Sequence, residues 1–174
     1  MPEIAVHDLA AIRAALADLA DPEIPVISLS ELGILRDVRL GTDGIPEVVI
    51  TPTYSGCPAM GQIEDDVRAA VVNAGFTARV VTQLAPAWTT DWMSEAAREK
   101  LRAYGIAPPQ CGSKSNEGTN VLKFSRQTMQ REAVPCPQCG STHTTETSPF
   151  GSTACKSMYR CLDCLEPFDY FKPY

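Results

Sequence analysis

Two C-x₂-C pairs stand near the end of the chain, Cys136 and Cys139 in CPQCG and Cys161 and Cys164 in CLDC, with 21 residues between them. Each tight turn presents two thiolates, and the strands of a hairpin would bring the turns together, which is the pattern of a zinc ribbon. Four sulfurs complete the tetrahedron of a structural Zn²⁺ and leave no position for a reactive water. The site is therefore expected to hold a fold, not to perform hydrolysis. An iron or [4Fe-4S] centre would also accept four cysteines, so zinc is inferred from spacing alone. A segment this short would lack the core to fold without a metal.

Cys155 is expected to lie outside that centre. If CKSMYRC is a strand, Cys155 and Cys161 are about 20 Å apart at roughly 3.3 Å per residue, too far for one tetrahedral ion. Packing is its expected role, with separate reactivity as the alternative. His143 is read as a strand residue, since four cysteines suffice. Phe168, Tyr170 and Phe171 are expected to cover the ribbon or to dock it on the rest of the chain.

The other chemistry-bearing residue is Cys57 in TPTYSGCPAM, set between a β-rich run and an amphipathic helix. At or next to a helix N-cap, with Pro58 in the first turn, its sulfur would be favoured as a thiolate by free N–H groups and the helix dipole, and would bind soft metals. Filling a strand-to-helix junction as a small buried residue is an equally good reading from position alone. A nucleophile is the weakest, because the chain has two histidines, His7 and His143, and neither falls in a motif with Cys57.

The elements that must position these groups follow from periodicity. Leu9, Ile12, Leu16 and Leu19 recur at helical spacing, with Asp8 placed to cap and Pro22 beyond the end. A β-rich run from Ile34 to Leu40, the turn GTDG and a returning strand from Glu47 predict a hairpin. A helix follows from about Pro58 to Asn73, with Met60, Ile63, Val67 and Val71 on one side and Gly75 at its C-terminal end. FTARVVTQL predicts a third strand and DWMSEAAREKLRAYG a last helix closed by Gly105. The expectation is an α+β fold in the order α-β-β-α-β-α, a small mixed sheet layered with helices, over residues 1–107. A connecting segment rich in Pro, Gly, Ser and Asn at 108–133 and a zinc ribbon at 134–174 complete it.

Bulk properties restrict the partners. Residues 1–110 carry 8 Lys and Arg against 15 Asp and Glu, and residues 111–174 carry 7 against 6, within a net charge of −6. No basic stripe is present to bind phosphates, so nucleic acid is not an expected ligand. The apolar stretches are too short to span a bilayer, and no basic-then-apolar leader opens the chain, so a cytoplasmic protein that does not bind membranes is expected. Seven cysteines in that setting point to metal or thiolate chemistry instead of disulfides. Paired Glu-x-x-His motifs are missing, which excludes a di-iron oxygenase centre.

DPEIPVISLSELGIL followed by TPTYSGCPAM resembles the signature of the DUF59 (MIP18-like) family, whose members serve iron–sulfur cluster assembly or delivery. The tail from CPQCG through FGSTACKSMYRC to the C-terminus resembles that of accessory proteins encoded with phenylacetyl-CoA epoxidase. The resemblance implies a maturation factor with no catalytic activity, acting on components of that oxygenase, with Cys57 binding a labile iron–sulfur cluster. It also implies that Asp21 and Glu23 line the same site, although loop capping accounts for both residues as well. One thiolate cannot hold a cluster that takes four protein ligands. Help would have to come from Cys111, from a second copy across a two-fold dimer, or from the receiving partner. The alternative is a structural or regulatory subunit that docks on the oxygenase through its ribbon.

Overall fold

The computed structural model describes residues 6–110 and 133–174. β-Branched residues on either side of the GTDG turn form an antiparallel hairpin, β1 (Leu35–Leu40) with β2 (Pro46–Ile50), in which Val38 faces Val48. Helix α1 (Val6–Leu16) precedes it, and α2 (Met60–Asn73) leads from β2 to β3 (Arg79–Thr82). Strand β3 pairs with β2 in parallel, Val80 beside Val48, so the sheet is mixed with the order β1-β2-β3. Ile12 and Leu16 from α1, Ile63, Val67 and Val71 from α2, and Val38, Val48 and Ile50 from the sheet pack into one cluster. This is the expected layering of helices on a small mixed sheet. The first helix begins before Asp8, which falls in its first turn, and Leu19 packs just beyond its end.

The predicted last helix divides in two. Thr90–Trp92 form a single 3₁₀ turn, Met93 is extended and buried, and Ser94 then caps α3 (Glu95–Tyr104) by accepting the Ala97 N–H at 3.1 Å. The Ser94 hydroxyl satisfies a backbone donor that an uninterrupted helix would have used, so the sequence restarts there. Gly105 closes α3 at φ +92°, a conformation costly for any residue with a Cβ.

After α3 the chain enters a second sheet directly. β4 (Ile106–Ala107) pairs in parallel with β7 (Pro167–Phe171), which is antiparallel to β6 (Lys156–Cys161), itself antiparallel to β5 (Thr144–Ser148). The two faces of β7 serve different cores. Phe168 and Tyr170 pack on Tyr159 inside the ribbon, with ring centroids 5.8 and 5.5 Å from it. Phe171, on the opposite face, is 1% exposed in the helix-and-sheet core, 6.0 Å from the Trp88 ring. Tyr174 adds a second ring against Trp88 at 6.3 Å, and its carbonyl accepts the Thr90 N–H at 3.2 Å. Covering the ribbon and docking it are thus divided between alternate residues of one strand. No helix among the described residues is long and apolar enough to cross a membrane.

Candidate functional site

The loop from Asp21 to Leu35 is held by its own polar side chains. Asp21 is 5% exposed, and its Oδ1 accepts the Glu23 and Ile24 N–H groups, both at 2.9 Å. Burial raises the Asp21 pKa, against the two N–H groups and the charge of Lys156. Ser28 and Glu31 cap one another: the Ser28 N–H donates to Glu31 Oε2 at 2.9 Å, and the Glu31 N–H donates to Ser28 Oγ at 3.2 Å. Gly33, at φ +77°, lets the loop press on Trp92, where a Cβ would lie 2.7 Å from the Trp92 carbonyl oxygen.

Glu31 also receives Lys100 Nζ at 2.7 and 2.9 Å, and that bond leads the causes that hold its carboxyl below the ordinary value. A carboxylate depressed on folding contributes stability above its unfolded pKa and loses it as pH falls through the folded one. Glu31→Gln keeps an oxygen to accept the Ser28 N–H and loses the charge paired with Lys100, so it should cost about 0.5 kcal/mol at neutral pH, the scale of a partly exposed ion pair. The cost should vanish below the folded pKa of Glu31. Urea midpoints for both proteins across the acid range check this, and a gap that persists at the acid end would assign it to packing.

Cys57 sits in the loop between β2 and α2. Its N–H donates to the Tyr54 carbonyl at 3.2 Å, and its own carbonyl accepts from Met60 at 3.3 Å, so a short turn leads into the helix. The cap of α2 is Ala59, without a side-chain bond, and Cys57 therefore precedes the cap position expected for it. Nor is the sulfur favoured as an anion. Burial pushes the thiol up; the Ala59 N–H opposes this, but negative charge at Glu23, Cys155 and Asp21 adds to it. The helix start reaches the sulfur through a single N–H and loses to desolvation and like charge. Burial and like charge therefore favour the thiol over the thiolate at Cys57.

The sulfur is half-buried, neither sealed in the core nor free in solvent, and the exposed Ser55 and Gly56 precede it. Glu23, half-buried on the neighbouring loop, is the motif carboxylate whose charge acts most on it. Thr51 and Thr53 are buried, and the Thr51 hydroxyl has no hydrogen-bond partner in this structure. Cys111 lies outside the described residues. A neighbour the sequence did not suggest is Cys155, carried from the ribbon into the core that Tyr54, Ala59 and Met60 border.

Ligand atoms of Cys136, Cys139, Cys161 and Cys164 all lie within 4.8 Å of one another. Two of the sulfur pairs are 3.7 and 3.5 Å apart, Cys136 with Cys164 and Cys139 with Cys161. A tetrahedron with metal–sulfur bonds of about 2.3 Å has edges of about 3.8 Å, so the donor set fits a zinc ion. The Cys164 N–H, 3.5 Å from the Cys161 sulfur, leads the groups that lower the Cys161 thiol to about 6. Cys155 is outside this group. His143 Nδ1 lies 3.0 Å from Asp163 Oδ1 beside the second knuckle and is not one of the four.

Comparison with known proteins matches both halves of the chain. A family model described as iron-sulfur cluster assembly protein matches residues 9–82, and one described as PaaD zinc beta ribbon domain matches residues 119–172. A putative 1,2-phenylacetyl-CoA epoxidase subunit of Escherichia coli is 48% identical over 96% of this chain and 92% of that protein. A Fe-S protein maturation auxiliary factor of Porphyromonas gingivalis is 39% identical over 49% of this chain and 83% of its own length. An iron-sulfur cluster carrier protein of Mycobacterium tuberculosis is 37% identical over 53% of this chain, but over 23% of the carrier. With a hairpin-and-helix domain of the iron–sulfur assembly type followed by a four-cysteine ribbon, and with a relative matched over almost its whole length in the E. coli epoxidase protein, the chain belongs to the PaaD family of DUF59 (MIP18-like) proteins.

Proposed function

We propose that this chain is a cytoplasmic iron–sulfur carrier that matures a component of the phenylacetyl-CoA oxygenase, binding its cargo transiently at Cys57. The supporting observation is a half-buried thiol on the second motif loop that feels the charge of the first loop's carboxylates, Glu23 and Asp21. Loading replaces the S–H bond with an S–Fe bond and releases the proton to water. Delivery replaces Cys57 with a thiolate of the client, and Cys57 takes up a proton again. Incomplete ligation suits this role, since a cluster held by four ligands from one chain would be slow to leave. Cys136, Cys139, Cys161 and Cys164 would hold a structural zinc ion, closed to substrate. The names of its relatives, an epoxidase subunit and factors for maturation or transport, agree with an accessory protein that catalyses nothing itself.

Anaerobic reconstitution with Fe²⁺ and sulfide tests the reading. Wild type should take up iron and sulfide with a sulfur-to-iron absorption band, and Cys57→Ala should lose both while keeping its zinc. Iron uptake and client activation that survive the substitution would remove Cys57 from the mechanism. A second reading, a protein that stays docked on the oxygenase, is favoured by exposed apolar residues on the ribbon, Met158, Leu162 and Leu165. A stoichiometric complex with the oxygenase that forms equally well without iron would support it.

A further inference from the structure

Cys155 satisfies neither of the obvious roles for a ribbon cysteine. It is not in the four-sulfur group, and it does not pack in the ribbon's own core. It belongs instead to the core of the other domain, where Tyr54, Ala59 and Met60 pack at the edge. Those three residues flank Cys57 in sequence, on both sides. The loop that carries Cys155 is pinned there. The Ala154 carbonyl accepts the Tyr174 hydroxyl at 3.1 Å, and the Cys155 carbonyl accepts the Lys172 N–H at 2.9 Å.

The groups around the seam come from three segments. The first motif loop supplies Asp21 and Glu23, the second Tyr54 and Cys57, and the ribbon Thr153, Cys155 and Lys156. Burial first, and the Glu23 carboxylate further, push both the Cys57 and the Cys155 thiols up. Thr153 Oγ1 is 3.0 Å from the Cys155 sulfur and can donate to it once it is a thiolate. Lys156 is 5% exposed, with Nζ 3.9 Å from Asp169, and places a buried positive charge behind the same loop. Thiolates are the ligands that iron–sulfur clusters take, and the Thr153 hydroxyl and the buried Lys156 charge can offset the negative charge of a thiolate at Cys155.

We infer that Cys155 is the second sulfur ligand of the Cys57 site, so that the cargo is held across the seam by one thiol from each domain. The inference rests on the carrier reading above. Cargo enters from the more exposed Cys57 side, and each S–Fe bond formed releases one proton. The ribbon then does more than fold itself: its zinc-dependent shape delivers a ligand to the other domain. Two protein sulfurs still leave iron positions open for the client's thiolates, as transfer requires.

The test uses the full, zinc-loaded chain reconstituted anaerobically with Fe²⁺ and sulfide. Wild type, Cys57→Ala, Cys155→Ser, Cys155→Ala and Thr153→Val are compared by iron and sulfide content, visible circular dichroism and the rate of iron loss to a chelator. Both Cys155 variants should lose cargo as Cys57→Ala does, by more than the roughly 10- to 100-fold that loss of an outer-shell partner costs. Thr153→Val should stay within that range. All variants should keep one zinc and the wild-type melting transition. Cys155 variants that hold iron with the wild-type spectrum, while Cys57→Ala does not, would overturn this inference and leave the carrier reading standing. Undiminished iron in Cys57→Ala would overturn both. Variants of Cys155 that lose zinc or the melting transition along with iron would mark it as a packing residue, and also overturn the inference.

Discussion

Replacing Cys161 with serine, or stripping the metal with a strong chelator, should unfold the ribbon and loosen the first domain as well. The ribbon's own cluster is small: Ala107, Val134, Tyr159, Phe168 and Tyr170 beside two of the cysteines. A core of that size does not offset the entropy of ordering the chain, whereas structural zinc contributes on the order of 10 kcal/mol in comparable small modules. Cys161 is 0% exposed and is one of the four gathered sulfurs, so its loss leaves the metal three-coordinate by cysteine. Loss of the ribbon withdraws Phe171 and Tyr174 from Trp88. The measurement is far-ultraviolet circular dichroism, which follows the ribbon's strands, together with tryptophan fluorescence in a Trp92→Phe background, used for all fluorescence readings so that the buried Trp88 is the emitter, before and after chelation. Chelation that removes zinc without changing either signal would mean that hydrocarbon alone holds the ribbon.

The second large effect is expected from Phe171→Ala. The ring is among the largest fully buried side chains, and it fills the first domain's core although it belongs to the ribbon's last strand. Truncating a buried phenylalanine costs about 3–5 kcal/mol through lost burial and the cavity left behind. Here the loss should fall on the contact between domains. Trp88 also donates its indole N–H to the Leu32 carbonyl at 3.1 Å, so its emission reports on the motif loop that carries Gly33. Phe171→Ala should lower the urea midpoint read at Trp88 and separate it from the ribbon's transition. Phe168→Ala, on the other face of the same strand, should destabilise the ribbon first. Identical midpoints for the two variants by both probes would show a single cooperative unit that does not distinguish the faces of β7.

Local pattern carried most of the elements. The turn between β1 and β2, the apolar stripe of α2 and the Gly105 end of α3 depend on residues a few positions apart, and periodicity reads such relations directly. The four-sulfur group was legible for the same reason: two short knuckles encode their own geometry, and only one long-range step, the hairpin, had to be supplied. The break at Ser94 was missed because a capping serine and a helical serine look alike until the backbone shows which N–H its hydroxyl takes. The motif around Asp21 was recognisable, but its polar residues are largely occupied with one another, Ser28 with Glu31 and Asp21 with two backbone N–H groups.

By itself, then, the sequence determined the first two helices and the hairpin, which four cysteines gather, and which of two motifs carries Cys57, because each of these is settled by neighbours along the chain. The tertiary structure alone decided that burial and like charge favour the thiol form of Cys57, that Ile106 pairs with Asp169 far along the chain, and that Phe171 and Cys155 leave the ribbon for the other domain's core. Burial and charge at a site are sums over residues remote in sequence. No window of a dozen residues contains them.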